Sequence, residues 1–267
     1  MGHFIRAVWQ QSEVSSTHTH KQERDISYSF YFLFTHTFSF VLLYRYTVGA
    51  LENGRLAKSV FPGWTVRMYH DETVPAEILS ELRALDVELV KQNDIHGGIA
   101  GMFWRFLPAS DPTVARYIVR DTDSRLSPRE RHAVEEWIKS KKPIHSIRDH
   151  PNHDRGLNGG MWGGTRDAVP DMDRLVRAWS SRGHYGADLD FLNQRVWPSV
   201  VAKSYSSDSY TCHKWPNSHP FPTRRNDDFE HVRLCCCCYS ISRVDDLPEF
   251  SHFSKCISSG WPSFLRR

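Results

Sequence analysis

The chain has 267 residues, enough for one large domain or two small ones. Hydrophobic residues make up 40% and charged residues 24% of the chain, and these fractions exclude a disordered, collagen-like or multi-span membrane protein. The formal net charge of +3 is too small to indicate binding to nucleic acid or to an anionic membrane surface. We therefore predict no nucleic-acid partner.

The two ends of the chain differ from its middle. Residues 1–25 are polar and show no apolar period, and residues 26–44 form an uncharged aromatic run of nearly the length of a membrane helix. We interpret residues 1–37 as a disordered or aberrant extension. A signal anchor over 26–44, with membrane association, is a less favoured alternative to a buried strand over 38–44, because polar residues interrupt the run. The compartment stays open: a Golgi or other secretory membrane with an anchor, the cytoplasm without one.

From residue 46 onward, strand-like and helix-like segments alternate, which predicts an α/β fold with a mostly parallel central sheet flanked by helices. Ser127, Pro128 and Glu130 form a pattern typical of a capped helix start. The predicted domain spans residues 38–232, and residues 233–267, with four consecutive cysteines at 235–238, are interpreted as a disordered or aberrant tail. The predicted helices are 47–60, 76–85, 99–107, 127–141 and 171–180, and the predicted strands are 64–69, 87–90, 115–119 and 144–147.

Two carboxylates follow the predicted strand over 115–119. Asp121 and Asp123 are two residues apart, so on an extended chain their side chains project to the same side, about 6.6 Å apart. Their repulsion is about 2.5 kcal/mol at an effective dielectric constant near 20, and a divalent cation would remove it. Oxygen ligands favour Mg²⁺ or Mn²⁺, and the flanking Arg120 and Arg125 are candidate partners for substrate phosphates. The residues also allow a turn in which Asp121 caps the following loop.

The residues around this pair resemble a known family. Four motifs occur in the order that is typical of nucleotide-sugar-dependent glycosyltransferases with the Rossmann-like GT-A fold. They resemble the D-x-D region, the strand and glycine-rich turn of the sugar pocket, and the late acidic segment of these enzymes. The motifs are Arg120-Asp121-Thr122-Asp123, Arg148-Asp149-His150-Pro151, Gly159-Gly160-Met161-Trp162-Gly163 and Gly186-Ala187-Asp188-Leu189-Asp190.

The resemblance implies metal-dependent transfer of a sugar from a nucleotide-sugar donor to a hydroxyl group of a glycan, protein or small-molecule acceptor. Asp121 and Asp123 would hold Mn²⁺ or Mg²⁺. An acidic group near the anomeric carbon assists such a transfer as a base or by charge stabilisation, and the candidates are Asp188, Asp190 and Asp149. The implied donor-binding residues are Arg105, Arg120, Asp121, Arg125, Gly159, Gly160 and Trp162.

Other interpretations stay open at this point. Arg105 also fits an exposed helix position, the glycines fit ordinary turns, and Trp162 fits a core position. A strand followed by D-x-D-S also resembles the nucleophile motif of haloacid-dehalogenase-like phosphotransferases, in which Asp121 would be phosphorylated. A third interpretation is a catalytically degenerate binding module with the GT-A fold. Many GT-A enzymes have a late histidine metal ligand, whereas residues 204–210 offer only Asp208.

Overall fold

The computed structural model describes residues 5–11, 28–29, 39–92, 100–215 and 217–223. The predictions for the tail over 233–267, its cysteine run and most of the extension over 1–37 lie outside these residues. Residues 5–11 and 28–29 form strands, so the prediction of a disordered extension over 1–37 is wrong for these two segments. The limits of the domain, at residues 38 and 232, stay a prediction.

A nine-stranded sheet forms the centre of the fold. Its strands are β1 (Ile5–Gln11), β2 (Tyr28–Ser29), β3 (Thr65–His70), β4 (Glu88–Lys91), β5 (Arg116–Arg120), β6 (Ile144–Arg148), β7 (Met161–Thr165), β8 (Ser204–Asp208) and β9 (Ser218–His219). Their spatial order is β2-β3-β1-β5-β7-β6-β8-β9, and β4 also pairs with β3.

The sheet is mixed, which corrects the prediction of a mostly parallel one. Strand β1 is antiparallel to β3 and β5, and β7 is antiparallel to β5 and β6. The other described pairs are parallel. The βα alternation predicts a common strand direction, but β7 follows β6 through the loop 149–160 without a crossover helix, and such a link joins antiparallel strands.

The described ranges contain six α-helices. They are α1 (Ser39–Val60), α2 (Ala76–Ala84), α3 (Pro128–Ser140), α4 (Met172–Ala178), α5 (Ala187–Phe191) and α6 (Trp197–Val200). The predicted helix over 99–107 is a 3₁₀ segment, Ala100–Ser110, and a π-helical turn, Leu192–Val196, joins α5 to α6. Helix α3 begins as the sequence predicts, because the Ser127 side chain accepts a hydrogen bond from the Glu130 backbone N–H at 3.2 Å.

Helix α1 differs from its prediction. The sequence predicts a strand over 38–44 and a helix over 47–60, but Ser39–Val60 is one continuous helix. A short apolar run does not by itself discriminate between a strand and a buried helix, and here it extends the helical spacing of the residues that follow. No helix in the described part of the chain has both the length and the apolar composition needed to span a bilayer.

Apolar side chains fill both faces of the sheet. On β5, Tyr117 and Val119 belong to the cluster that contains the 3₁₀ segment, α4 and α5, whereas Ile118 belongs to the cluster that contains α1, α2 and α3. This alternation follows from the two-residue period of a strand. Strand β5 is therefore buried on both faces, and its end is held by packing from both sides.

One edge of the sheet collects the ends of several strands. Because β1 is antiparallel to both β3 and β5, these two strands run in the same direction, and β7 relates β5 to β6 in the same way. The carboxyl ends of β3, β5, β6 and β8 therefore lie at one edge, together with the amino end of the reversed β7. Ligands of open α/β sheets bind at this edge.

Candidate active site

The acidic turn, residues 121–126, follows β5 directly. The Ser124 backbone N–H donates to the Asp121 carbonyl at 3.2 Å and closes the turn. Asp121 and Asp123 are both largely buried, with 9% and 8% of their surfaces exposed. Both carboxylates therefore lie at the carboxyl edge of the sheet, where the sequence analysis predicts them.

Arg105 joins this turn to helix α5. Its Nη2 atom lies 2.9 Å from Asp188 Oδ2, and its Nη1 atom lies 3.5 Å from Asp121 Oδ1. Its Nε donates to the Met102 carbonyl at 2.8 Å, which fixes the side chain to the 3₁₀ segment. Arg105 is 3% exposed, so it is a buried cation between two carboxylates and not an exposed helix arginine. We call Arg105, Asp121 and Asp188 the Arg105 cluster.

Two glycines complete the surroundings of the Arg105 cluster. A Cβ atom at Gly159 would lie 2.9 Å from Arg105 Nη1 and 3.0 Å from Asp188 Oδ2. A Cβ atom at Gly160 would lie 2.4 Å from the Asp121 carboxyl carbon. A residue other than glycine at either position would displace one of these groups. Five of the predicted site residues, drawn from four separate segments of the chain, thus meet in one place.

The two acidic residues of α5 have different surroundings. Asp188 is 2% exposed, and its Oδ1 atom is buried without a hydrogen-bond partner among the described residues. Asp190 is 39% exposed at its side chain, and its carboxylate lies 2.9 Å from His184 Nε2. Residues two apart on a helix point in nearly opposite directions. The structure therefore places Asp188 in the Arg105 cluster and Asp190 outside it.

Asp149 belongs to a second group of buried ion pairs. Its two carboxylate oxygens each accept a hydrogen bond from Arg129 at 2.8 Å, and Ser209 donates another at 2.8 Å. On the opposite face of β6, Arg148 Nε donates to Asp208 Oδ2 at 2.8 Å. We call Arg129, Arg148, Asp149 and Asp208 the β6–β8 cluster. Asp149 is fully buried and fully bonded, so the geometry does not support the prediction of a catalytic role for it.

Of three further residues predicted to bind the donor, two lie in the protein interior and one is partly buried. Arg120 is 2% exposed, forms an ion pair with Glu130 and donates to the Trp162 carbonyl at 3.0 Å. Arg125 donates to the Thr122 carbonyl at 2.9 Å. The Trp162 ring is fully buried and packs edge-to-face on Tyr117 at 5.5 Å. The buried positions of Arg120 and Trp162 do not support their predicted roles in donor binding, whereas the role of Arg125 as an anion partner stays a prediction.

The interior also changes the protonation of groups beside these arginines. Burial raises the pKa of the Glu130 carboxyl group, and the charge of Arg120 opposes that change. Burial holds the pKa of His145 well below its ordinary value, and the nearby charges of Arg120 and Arg148 act in the same direction. His145 is therefore a neutral, buried ring that stacks on Trp137 at 5.2 Å.

The metal prediction depends on Asp121 and Asp123. No three histidine, cysteine, aspartate or glutamate side chains of the described ranges come together as a metal site. A pair of carboxylates nevertheless fits Mg²⁺ or Mn²⁺ bound to a nucleotide, because such ions commonly use one or two carboxylates together with substrate phosphates. Arg105 also offsets part of the negative charge that motivates the prediction. Metal binding stays a prediction.

Among known proteins, the chain matches solved structures but no family model and no curated protein. Among solved structures, the chain is similar to a glycosyltransferase involved in the glycosylation of the major capsid of PBCV-1, with 13% identity and a TM-score of 0.41. The match covers 62% of this chain and 77% of that one. A similarity of this size carries no argument about activity.

Two residues of helix α1 that the sequence analysis does not single out lie against the acidic turn. Asn53 is fully buried and bonds to the turn backbone, and Gly49 packs against the Thr122 carbonyl. Both are weak helix formers, and their spacing of four puts them on one helix face. Such a pair inside a predicted helix is the pattern that could have indicated a close contact.

Proposed function

We propose that the chain is a metal-dependent glycosyltransferase that moves a sugar from a nucleotide-sugar donor to an acceptor hydroxyl. The observation that carries the proposal is the meeting of Arg105, Asp121, Asp188, Gly159 and Gly160 at the carboxyl edge of the sheet. Four of these residues lie in the motifs that resemble GT-A enzymes, and Arg105 is implied by the same resemblance. Residues in four segments would have no reason to converge if the motifs were chance matches.

The buried oxygen of Asp188 supports a ligand at this place. An unpaired polar atom in a protein interior costs about 1–3 kcal/mol, and a ligand that bonds to Asp188 Oδ1 would offset that cost. Two hydroxyls of the acidic turn, Thr122 Oγ1 and Ser124 Oγ, are also buried without a hydrogen-bond partner in the described ranges. A polar ligand such as a nucleotide sugar offers hydroxyls and phosphate oxygens that could satisfy such atoms.

The residues take the following roles in this proposal. Asp121 and Asp123 would hold Mn²⁺ or Mg²⁺, which would neutralise charge on the donor diphosphate. The Asp188 carboxylate stabilises the positive charge that develops at the anomeric carbon. We favour charge stabilisation over proton transfer because one Asp188 oxygen is already held by Arg105. Arg105 fixes the separation of Asp121 and Asp188 by binding both.

The proposal is tested by donor hydrolysis and nucleotide binding. The purified protein is incubated with UDP-, GDP- and CMP-sugars and Mn²⁺, and its thermal stability is followed with each nucleoside diphosphate. We expect hydrolysis of one donor class and Mn²⁺-dependent stabilisation by the matching diphosphate. Stabilisation by Mg²⁺ with beryllofluoride would instead indicate the phosphotransferase, and nucleotide binding without turnover would indicate a degenerate module.

A substitution locates the metal. Asp123→Asn should abolish Mn²⁺-dependent nucleotide binding and leave the fold intact, because it removes one of the two carboxylates. Asp86→Asn is the matched control, since Asp86 is 83% exposed at its side chain and asparagine tolerates its positive φ of 65°. Unchanged Mn²⁺-dependent affinity in a folded Asp123→Asn variant would show that the acidic turn does not bind the metal.

A further inference from the structure

Helix α1 contacts the acidic turn through a position that only glycine can occupy. A Cβ atom at Gly49 would lie 2.3 Å from the Thr122 carbonyl oxygen and 3.0 Å from its carbonyl carbon. Both atoms are main chain, so they cannot move aside as the end of a flexible side chain can. The helix therefore sits directly against the peptide between Asp121 and Asp123.

One helical turn later, Asn53 binds the same segment with its whole carboxamide group. Its Nδ2 donates to the Thr122 carbonyl at 3.0 Å and to the Ser124 carbonyl at 2.7 Å. Its Oδ1 accepts the Leu126 backbone N–H at 3.3 Å. Two acceptors and one donor on the turn fix which end of the amide faces which group, so neither aspartate nor leucine could replace it.

These contacts hold main-chain groups of the turn itself. Asn53 binds the carbonyl of Thr122, which lies between Asp121 and Asp123, and main-chain groups of Ser124 and Leu126, which follow them. The Thr122 carbonyl also accepts a hydrogen bond from Arg125 at 2.9 Å. The conformation of the segment that carries Asp121 and Asp123 is thus set by a helix that contributes no charged group to it. A carboxylate pair binds a cation well only when its geometry is fixed beforehand.

We propose that Asn53 and Gly49 are positioning residues: they hold the acidic turn in the shape on which metal-dependent donor binding depends. The inference rests on the proposed function for its last step only. That α1 fixes the turn can be measured whether or not the protein transfers a sugar.

Two glycine variants on the same helix give a matched pair. Gly49→Ala forces a Cβ against the Thr122 carbonyl, whereas a Cβ at Gly54 would meet the Leu85 Cδ1 atom at 3.1 Å, the movable end of a side chain. Both substitutions raise helix propensity by the same amount. We expect Gly49→Ala to weaken Mn²⁺-dependent nucleotide binding about 10-fold or more, and Gly54→Ala to leave it unchanged.

Asn53→Ala tests the hydrogen bonds, with Val60→Ala as a control for loss of a buried side chain at the far end of α1. We expect Asn53→Ala to accelerate amide hydrogen exchange at Leu126 and across residues 121–126, and to weaken binding with Mn²⁺ more than binding without it. Val60→Ala should lower the melting temperature without either effect. A merely structural role would make the two variants alike.

The outcomes separate the inference from the proposed function. Wild-type exchange in the turn of Asn53→Ala overturns the inference, whatever the wild-type protein binds. Altered exchange with unchanged Mn²⁺-dependent binding also overturns it, because the turn would then move without consequence. If the wild-type protein binds no nucleotide with Mn²⁺, the proposed function fails and the dependence of donor binding on α1 fails with it, while exchange still decides whether α1 holds the turn.

Discussion

The Arg105 cluster and the β6–β8 cluster lie at the same edge of one sheet and contain the same residue types, yet they differ in how completely they are bonded. In the β6–β8 cluster, both oxygens of Asp149 and both oxygens of Asp208 accept hydrogen bonds. In the Arg105 cluster, Asp188 Oδ1 is buried without a hydrogen-bond partner among the described residues.

This difference separates a structural role from a binding role. Buried charges are tolerated when every hydrogen-bonding group is satisfied, and such an arrangement resists change. An arrangement that leaves buried oxygen atoms unsatisfied gains free energy when a ligand supplies the missing partners. We therefore interpret the β6–β8 cluster as structural and keep the Arg105 cluster as the proposed ligand site, although both would look alike in a search for buried acidic residues.

The largest expected effect comes from a substitution that breaks an ion pair of the β6–β8 cluster. Asp208→Ala leaves Arg148 buried without its carboxylate, and removal of one partner of a buried pair costs about 3–5 kcal/mol. The free energy of unfolding, measured with urea, should fall by that amount. Glu136→Ala, which removes an exposed pair with Lys139, should change it by less than about 1 kcal/mol. Equal losses in the two variants would contradict the structural role of the β6–β8 cluster.

The second-largest expected effect is a loss of donor hydrolysis. Asp188→Asn keeps an oxygen for Arg105 but removes the negative charge, so the rate of donor hydrolysis should fall by about 100-fold. Stability should change little, because Arg105 retains Asp121 as a partner. Asp190→Asn is the control, since it removes an equivalent charge two residues away on the exposed side of α5. Retention of activity in Asp188→Asn, or equal losses in both variants, would remove Asp188 from the site.

The smallest effect is a pH dependence beside the β6–β8 cluster. The pKa of His145 lies well below that of the unfolded chain because of burial, with Arg120 and Arg148 adding to the effect. As pH falls below about 6.5, the unfolded chain takes up this proton first, so the folding equilibrium constant falls by up to about tenfold for each pH unit.

His145→Phe keeps an aromatic ring on Trp137 and should remove the contribution of His145 to the dependence of the unfolding free energy on pH. Unfolding free energies measured from pH 7.5 to pH 5 would show it. The slope should not vanish, because the pKa values of His70 and His219 are also lowered by burial. His132→Gln, at an exposed position, is the control. A slope in His145→Phe equal to that of the wild type would mean that His145 is protonated in the folded protein.

The sequence predicts the local parts of this structure well. Ser127, Pro128 and Glu130 predict the start of α3 because capping depends on neighbours in the chain. Asp121 and Asp123 are predicted at a strand end for the same reason. The side-chain partner of Glu130 is not predictable in this way, since Arg120 meets it only when β5 packs against α3.

The site shows the same limit. Asp188 and Asp190 are equal candidates in the sequence, and only the orientation of α5 distinguishes them. Trp162 between glycines fits a ligand platform or a core position, and the packing of β7 on β5 decides for the core. Asn53 bonds to a residue 69 positions away, and its place with Gly49 on one helix face indicates a close contact without identifying that partner.

Some contacts of Arg129 can form only after residue 223 has been synthesised. Its guanidinium stacks over Phe221 at 4.1 Å and donates to the carbonyl of Thr223, a residue 94 positions later. At about 5–20 residues per second, the ribosome needs roughly 5–19 s to add that stretch. Until then Asp149 can neutralise Arg129, but the far side of the guanidinium has no partner from this segment. The segment around Phe221 thus closes over α3 and β6 only after both have been made, so this part of the fold is finished late.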